Sequence, residues 1–291
     1  MIRLVILGSS ASVPSVERSL SSVALRHEGG VYLFDCGEGT QRQMMKYKTS
    51  YAKVKAIFVT HLHADHVLGI PGLVHTLRMI GRKEPLLVFG PRGTCEYIGG
   101  VMLDHGLVDA RDVDENFCFK GDGFTVRAFP VEHGLDAYGY VFEEDEKRNF
   151  DKKKAEALGI KGRMFGELQK NGEMKVKEKK IMLEDVTVPK KGKKIVYTGD
   201  TLPCKGVELA SKGADILIHD ATFGEEMKEE AKLKLHSTAT EAANTAKKAG
   251  VKKLILTHIS NRYKEARALE EQARKIFKNS DVARDGMEIL V

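Results

Sequence analysis

At 291 residues, 42% of them apolar, the chain is long enough to bury a large core, as one domain or two. Cys36, Cys95, Cys118 and Cys204 lie far apart with no C-x-x-C pair, which excludes a zinc knuckle or a disulfide framework and fits a reducing cytoplasm. The first apolar run, residues 1–7, is too short for a signal peptide, no later run approaches the ~20 residues of a membrane span, and the net charge of +6 is modest, so a protein without a membrane partner is expected.

In chain order, residues 2–7 and 31–34 have the β-branched, apolar character of strands and are followed by the turns 8–12 and 37–40; a helical pattern covers 41–46. The strand at 55–59 leads into His61-Leu62-His63-Ala64-Asp65-His66, three imidazoles and a carboxylate within six residues. Neutral imidazole and carboxylate suit Zn²⁺ and other first-row divalent ions. Four such ligands cannot all reach one ion from one short loop, so the spacing predicts two neighbouring ions, His61 and His63 serving one and Asp65 and His66 the other. The alternative is a polar surface loop that happens to be rich in histidine. The apolar run from Val67 onward argues against it, since a loop pinned between a buried strand and a buried helix (73–80) is held rigidly.

Further on, strands are expected at 86–89, 124–129, 139–142, 194–198, 216–218 and 253–256, and helices at 93–105, 238–249 and 264–277. Strands and helices in both halves predict an α/β sandwich with sheets inside and helices outside. Three strands end in a polar group one or two residues past the apolar run: Glu132-His133-Gly134, Gly199-Asp200-Thr201 and Thr257-His258. With the loop they make a full donor set. His61, His63 and His133 are assigned to one ion, Asp65, His66 and His258 to the second, and Asp200 to both; two ions ~3.5 to 4 Å apart would clamp an in-line phosphoryl displacement. His27, His75, His105 and His219 are read as structural or exposed.

Residues 143–194 differ from their surroundings. They are crowded with Lys and Glu, carry five glycines among them Gly159 and Gly172, and show only short apolar patches. They read as a protruding arm, either a solvated insertion without a partner or a contact surface for phosphate polyanions.

These motifs carry a resemblance. The runs Phe34-Asp35-Cys36-Gly37-Glu38-Gly39-Thr40-Gln41, Thr60 to His66, Gly69-Ile70-Pro71-Gly72-Leu73, Glu132-His133-Gly134, Thr198-Gly199-Asp200-Thr201, His236-Ser237-Thr238 and Thr257-His258-Ile259-Ser260-Asn261-Arg262-Tyr263 resemble, over nearly the whole chain, ribonuclease Z (tRNase Z) of the metallo-β-lactamase superfamily. The H-x-H-x-D-H run alone names only the superfamily; D-C-G-E-G-T-Q and H-S-T are more specific. The resemblance implies a four-layer αββα metallo-β-lactamase sandwich spanning 1–291 and two zinc ions per subunit. The implied activity is endonucleolytic cleavage of precursor tRNA after the discriminator nucleotide, leaving a 3′-hydroxyl. It also implies a homodimer in which a flexible inserted arm, here 143–194, is the exosite that grips the tRNA elbow. Three departures stand out. The family's P-x-K-x-R-N loop is Pro14-Ser15-Val16-Glu17-Arg18-Ser19, the arm's Gly-Pro element is Gly162-Arg163, and H-E-A-T is His219-Asp220-Ala221-Thr222, which keeps the acid but shortens its reach.

With Asp65 among the ligands, the remaining catalytic roles fall to His236, which would protonate the departing ribose oxygen, and Asp220, which would hold its tautomer. Otherwise His236 is a polar helix cap. Arg262 is expected either to meet a substrate phosphate or to form a surface ion pair. The competing readings are a general phosphodiesterase or thioester hydrolase on the same scaffold, and a tRNA-binding protein with a purely structural metal. The lysine-rich arm opposes the first and the absence of cysteine ligands opposes the second.

Overall fold

Leu4 and Ile6 pack into one cluster and Val5 and Leu7 into another, yet all four are buried, because the strand that carries them is covered on both faces. The same alternation repeats at Phe34 against Leu33, Phe58 against Ile57, and Ile218 against Leu217. It accounts for the continuous apolar runs of the sequence. The computed structural model describes residues 2–102 and 105–291, and the chain divides into two compact units, the smaller being Glu144–Lys193.

The larger unit begins with β1 (Arg3–Gly8), β2 (Ser22–His27), β3 (Gly30–Phe34), α1 (Thr40–Lys46), β4 (Val54–Phe58), α2 (Ala64–Val67), α3 (Gly69–Met79), β5 (Leu86–Gly90), α4 (Thr94–Val101) and β6 (Val108–Asp112). Next come β7 (Cys118–Gly121), β8 (Phe124–Pro130) and β9 (Tyr138–Glu144). The smaller unit contains β10 (Lys147–Phe150), α5 (Lys152–Ala157), α6 (Met164–Asn171), β11 (Glu173–Val176), β12 (Lys179–Met182) and β13 (Thr187–Lys190). The larger unit resumes with β14 (Lys194–Tyr197), α7 (Lys205–Ala210), β15 (Ile216–Asp220), α8 (Lys228–Leu233), α9 (Ala239–Ala249), β16 (Lys253–Thr257), α10 (Arg267–Arg274), β17 (Ser280–Val282) and β18 (Glu288–Leu290).

Two seven-stranded sheets result, in the orders β18-β1-β2-β3-β4-β5-β6 and β17-β16-β15-β14-β9-β8-β7. Each is antiparallel in one part and parallel in the other: β3 to β6 run parallel, as do β14 to β17. Aromatic residues Phe34, Phe58, Phe124, Tyr140 and Phe142 fill the space between the sheets. Apolar residues of α1, α3 and α4 cover the outside of the first sheet, and alanines of α9 with Leu269 of α10 cover the second. The order of layers is therefore helix, sheet, sheet, helix, as expected.

Among the elements that the residue pattern did not reveal is β2, six residues long and buried, whose apolar run Val23-Ala24-Leu25 is brief and flanked by Ser and Arg; several others are short or polar. Strand β6 bears Asp109 and Arg111 on an exposed edge, and β17 and β18 are three residues each, so their pairing comes from neighbours rather than from their own periodicity. Helix α3 starts at Gly69, earlier than expected, since Pro71 is tolerated in a first turn. The end of the helix expected over 93–105 falls partly on 103 and 104, outside the described residues.

The smaller unit departs from the picture of an arm with only scattered apolar patches. Ala155, Ile160, Leu168, Ile181 and Val186 form a core of their own, Asp151 caps α5, and β10 pairs with β13 and β11 with β12. Helices and hairpins bring these separate residues together, which composition cannot show.

Candidate metal centre

β14, β15 and β16 run parallel and so end on the same edge of the second sheet, where β8, two places from β14, also ends, and the end of β4 in the first sheet faces them. These ends carry His61, Asp200, Asp220, His258 and His133. Asp65 and His66 come from the first turn of α2, whose ends are clamped by bonds from the Cys36 N–H to the His66 carbonyl (2.8 Å) and from the Gly69 N–H to the Cys36 carbonyl (2.9 Å). A side chain at Gly69 would stand 2.1 Å from the Gly37 carbonyl oxygen, so only glycine fits. At Gly199 the backbone is left-handed (φ +61°) and packs on Thr60, which turns Asp200 toward the histidines.

Donor atoms of His61, His63 and His133 lie within 4.8 Å of one another, and so do those of Asp65, His66, Asp200 and His258. The Asp200 Oδ2 atom stands between the sets, 3.7 Å from Nε2 of both His61 and His133, 3.4 Å from that of His66 and 3.2 Å from that of His258. All but His63 are buried.

Hydrogen bonds decide which nitrogen of each ring faces inward. Thr60 Oγ donates to Asp35, so it accepts from His61 Nδ1 (3.0 Å). His66 Nδ1 donates to Asp35 Oδ2 (2.7 Å), His133 Nδ1 to the Leu235 carbonyl (2.9 Å), and His258 Nδ1 to Thr222 Oγ (2.8 Å), whose own proton is engaged by Asp220. Four Nε2 lone pairs are thereby aimed into one space. Two of them face His63 Nδ1, at 3.0 Å from His61 and 3.3 Å from His133, and a single ring proton there cannot serve both. His66 Nε2 and Asp200 Oδ1 are buried without any hydrogen-bond partner. Converging lone pairs and an unsatisfied carboxylate oxygen fit cations. Burial works to lower His66, but Asp200 and Asp35 outweigh it and hold the imidazole well above its ordinary range; the same negative charge favours a cation, which would take the place of the proton on Nε2.

Beside this cluster, His236 Nδ1 donates to Asp220 Oδ2 at 2.8 Å, and the His236 ring stacks on His258 (centroids 5.0 Å apart). Asp220, one methylene shorter than glutamate, spans the gap nonetheless. Burial opposes charge on both partners, yet their attraction prevails, lowering Asp220 and raising His236 to about 9. The cap of α9 is Thr238, not His236, with Glu241 completing a capping box. Arg262 lies outside the cluster: exposed, it pairs with Glu230 (2.8 Å) above the Phe223 ring. His219 is buried and bonds to the Asp220 carbonyl oxygen.

Asp35 escaped the sequence reading as a site residue. Its carboxylate accepts from the Thr60 backbone N–H (2.7 Å), His66 and the Tyr197 hydroxyl (2.8 Å), tying both sheets to the ligand loop. The signal was present, because Asp35 is the first polar residue past an apolar strand, the rule that singles out Asp200.

Two packed mixed sheets under outer helices, with a His/Asp cluster where their strands end, define a metallo-β-lactamase fold with a metal-binding site. Residues 173–259 match the profile described as a beta-lactamase superfamily domain, and residues 2–165 that described as anti-Pycsar protein Apyc1. The metallo-beta-lactamase fold protein YhfI from Bacillus subtilis superposes with a TM-score of 0.75 over 100% of both chains at 17% identity, a likeness of fold. The short form of human tRNase Z superposes with a TM-score of 0.69 over 99% of both chains at 28% identity. Ribonuclease Z of Methanosarcina acetivorans is 43% identical over 99% of this chain and 98% of its own length. The chain belongs to the ribonuclease Z family.

Proposed function

We propose that this chain is a tRNA 3′-processing endoribonuclease that removes the 3′ trailer of precursor tRNA by cutting after the discriminator nucleotide. The observation that carries the reading is the Asp200 oxygen standing between two imidazole sets, with the Asp220–His236 pair beside them, in a chain of this family. His61, His63 and His133 would hold one ion, Asp65, His66 and His258 the other, with Asp200 shared; zinc suits such nitrogen and oxygen donors. When bound, two such ions supply Lewis-acid stabilisation of phosphoryl oxygens and a water of lowered pKa.

The chain's own residues do the rest. Asp35, Thr60 and Thr222 hold the ligand rings in register. His236, its Nδ1 proton engaged by Asp220, presents Nε2 to the departing O3′: the P–O3′ bond breaks, that oxygen takes the proton, and the water oxygen joins phosphorus. The tRNA keeps a 3′-hydroxyl and the trailer a 5′-phosphate. Arg262 contributes to substrate phosphate binding only if RNA displaces it from Glu230.

Residues 144–193 carry fifteen Lys and Arg against ten Asp and Glu, nearly all of the chain's net charge. Folded and basic, this unit is the exosite that grips the tRNA elbow, acting across a homodimer in the cytoplasm as the family resemblance implies. Among the described residues no helix is long and apolar enough to cross a membrane.

The test is to incubate zinc-loaded protein with a tRNA bearing a 3′ trailer and map both new ends, alongside elemental analysis of the protein and of Asp200→Ala. Cleavage after the discriminator and two zinc ions per chain, with metal lost from the variant, are expected. Hydrolysis of bis-aryl phosphates without cleavage of the trailer would instead make this a small-ester phosphodiesterase.

A further inference from the structure

We infer that the hollow flanking His236 is the seat of the last retained nucleoside, the one whose O3′ leaves; the inference rests on the reading of His236 as proton donor to that oxygen. In an in-line displacement the leaving oxygen lies opposite the attacking one. Its nucleoside therefore lies beside the group that protonates it. His236 itself lines a cavity of about 390 Å³, walled by Glu132, Leu202, Pro203, Glu229 and Lys232. That is within the range of small-ligand sites, about 300 to 1,000 Å³.

The lining suits one nucleoside with one phosphate. Leu202 and Pro203 offer an apolar plate for a base. Lys228 and Glu241, which also reach the cavity, are engaged with each other and with Glu225 and the α9 cap. Glu132, Glu229 and Lys232 are left to meet base or ribose donors and a 5′-phosphate. Three carboxylates against two lysines disfavour a run of phosphates. The walls are also joined to the catalytic groups. The Glu132 N–H donates to Thr201 Oγ (3.2 Å), the Leu202 N–H to the Glu132 carbonyl (2.9 Å), the Thr201 N–H to Asp220 Oδ2 (3.0 Å) and Ser237 Oγ to the Thr201 carbonyl (2.7 Å). A nucleoside seated there is placed relative to His236 by four hydrogen bonds rather than by flexible side chains.

The experiment uses zinc-loaded full-length protein and three precursor tRNAs: unmodified, abasic at the last retained nucleotide, and abasic at the first trailer nucleotide. For the wild type, kcat/KM is expected to fall about tenfold or more, the order for losing one bound base, with the first abasic substrate and little with the second. Leu202→Trp, which fills the hollow, should lower kcat/KM on the unmodified precursor by a similar factor and barely affect the precursor lacking the retained base. Zinc content and melting temperature monitor its folding. Lys232→Gln, exposed and safe for folding, should raise KM several-fold with kcat kept. A retained-base lesion without effect, or a larger loss from the trailer lesion, overturns the inference while leaving the endonuclease reading intact. Failure of the wild type to cut the unmodified precursor overturns both.

Discussion

The metal centre and the basic unit 144–193 are built on opposite principles. At the centre nearly every ligand is buried and every ligand ring except that of His63 is held by a hydrogen bond to Asp35, Thr60, Thr222 or Leu235, so chemistry rests on a few interactions without slack. The basic unit has a five-residue core, and most of its lysines are exposed, Lys175 and Lys180 pairing with Glu178 and Glu173 of their own hairpin. Interactions of that kind are individually weak, screened by salt and additive. One region is intolerant of single changes; the other answers to sums.

The largest effect should come from the proton donor. His236→Ala is expected to lower kcat by about 10²- to 10⁴-fold, with zinc content and RNA affinity unchanged in elemental analysis and filter binding. A variant that turned over normally would remove His236 from the mechanism. Next, Leu168→Ala should cost the smaller unit about 2 to 5 kcal/mol, enough to open it to limited proteolysis within 144–193 while the zinc stays bound. Loss of zinc at the same time would show that the regions are not separable in stability. Asp35→Asn keeps the shape of the side chain but cannot accept from His66, Thr60 and Tyr197 alike, so zinc affinity in a chelator competition should weaken about 10- to 100-fold.

Smaller and graded effects belong to the basic unit. Changing Lys152, Lys153 and Lys154 together to Gln should leave kcat alone and flatten the dependence of log affinity on log salt, by about 0.7 to 0.9 for each phosphate that is no longer neutralised. An unaltered slope would place the RNA elsewhere. The smallest effect is a reference for surface pairs on the larger unit. Burial tends to raise Asp281, but hydrogen bonds from Lys253 and Arg274 prevail and lower it. A depressed carboxylate stabilises the fold above its unfolded pKa and loses that contribution as pH falls through the folded value. Asp281→Asn should therefore cost about 0.2 to 1 kcal/mol at pH 7, and the difference from wild type should vanish in melts carried out at strongly acidic pH.

The residue pattern made an α/β sandwich with helices outside, most central strands and the candidate ligand set legible, because buried strands must be apolar and ligands must be imidazole or carboxylate, and both are properties of residue type; the family resemblance narrowed the sandwich to αββα. Even Asp35 obeys the strand-end rule. Three-dimensional proximity alone decided the rest. Which nitrogen of each ring faces inward depends on acceptors up to 102 residues away, as between His133 and Leu235. The core of Ala155, Ile160, Leu168, Ile181 and Val186 exists only once the β10–β13 pair, the β11–β12 hairpin and two helices are folded. Arg262 shows the same limit, since the Glu230 that engages it lies 32 residues earlier. Composition and spacing are local quantities, whereas hydrogen-bond direction and burial are set by whatever the fold brings alongside.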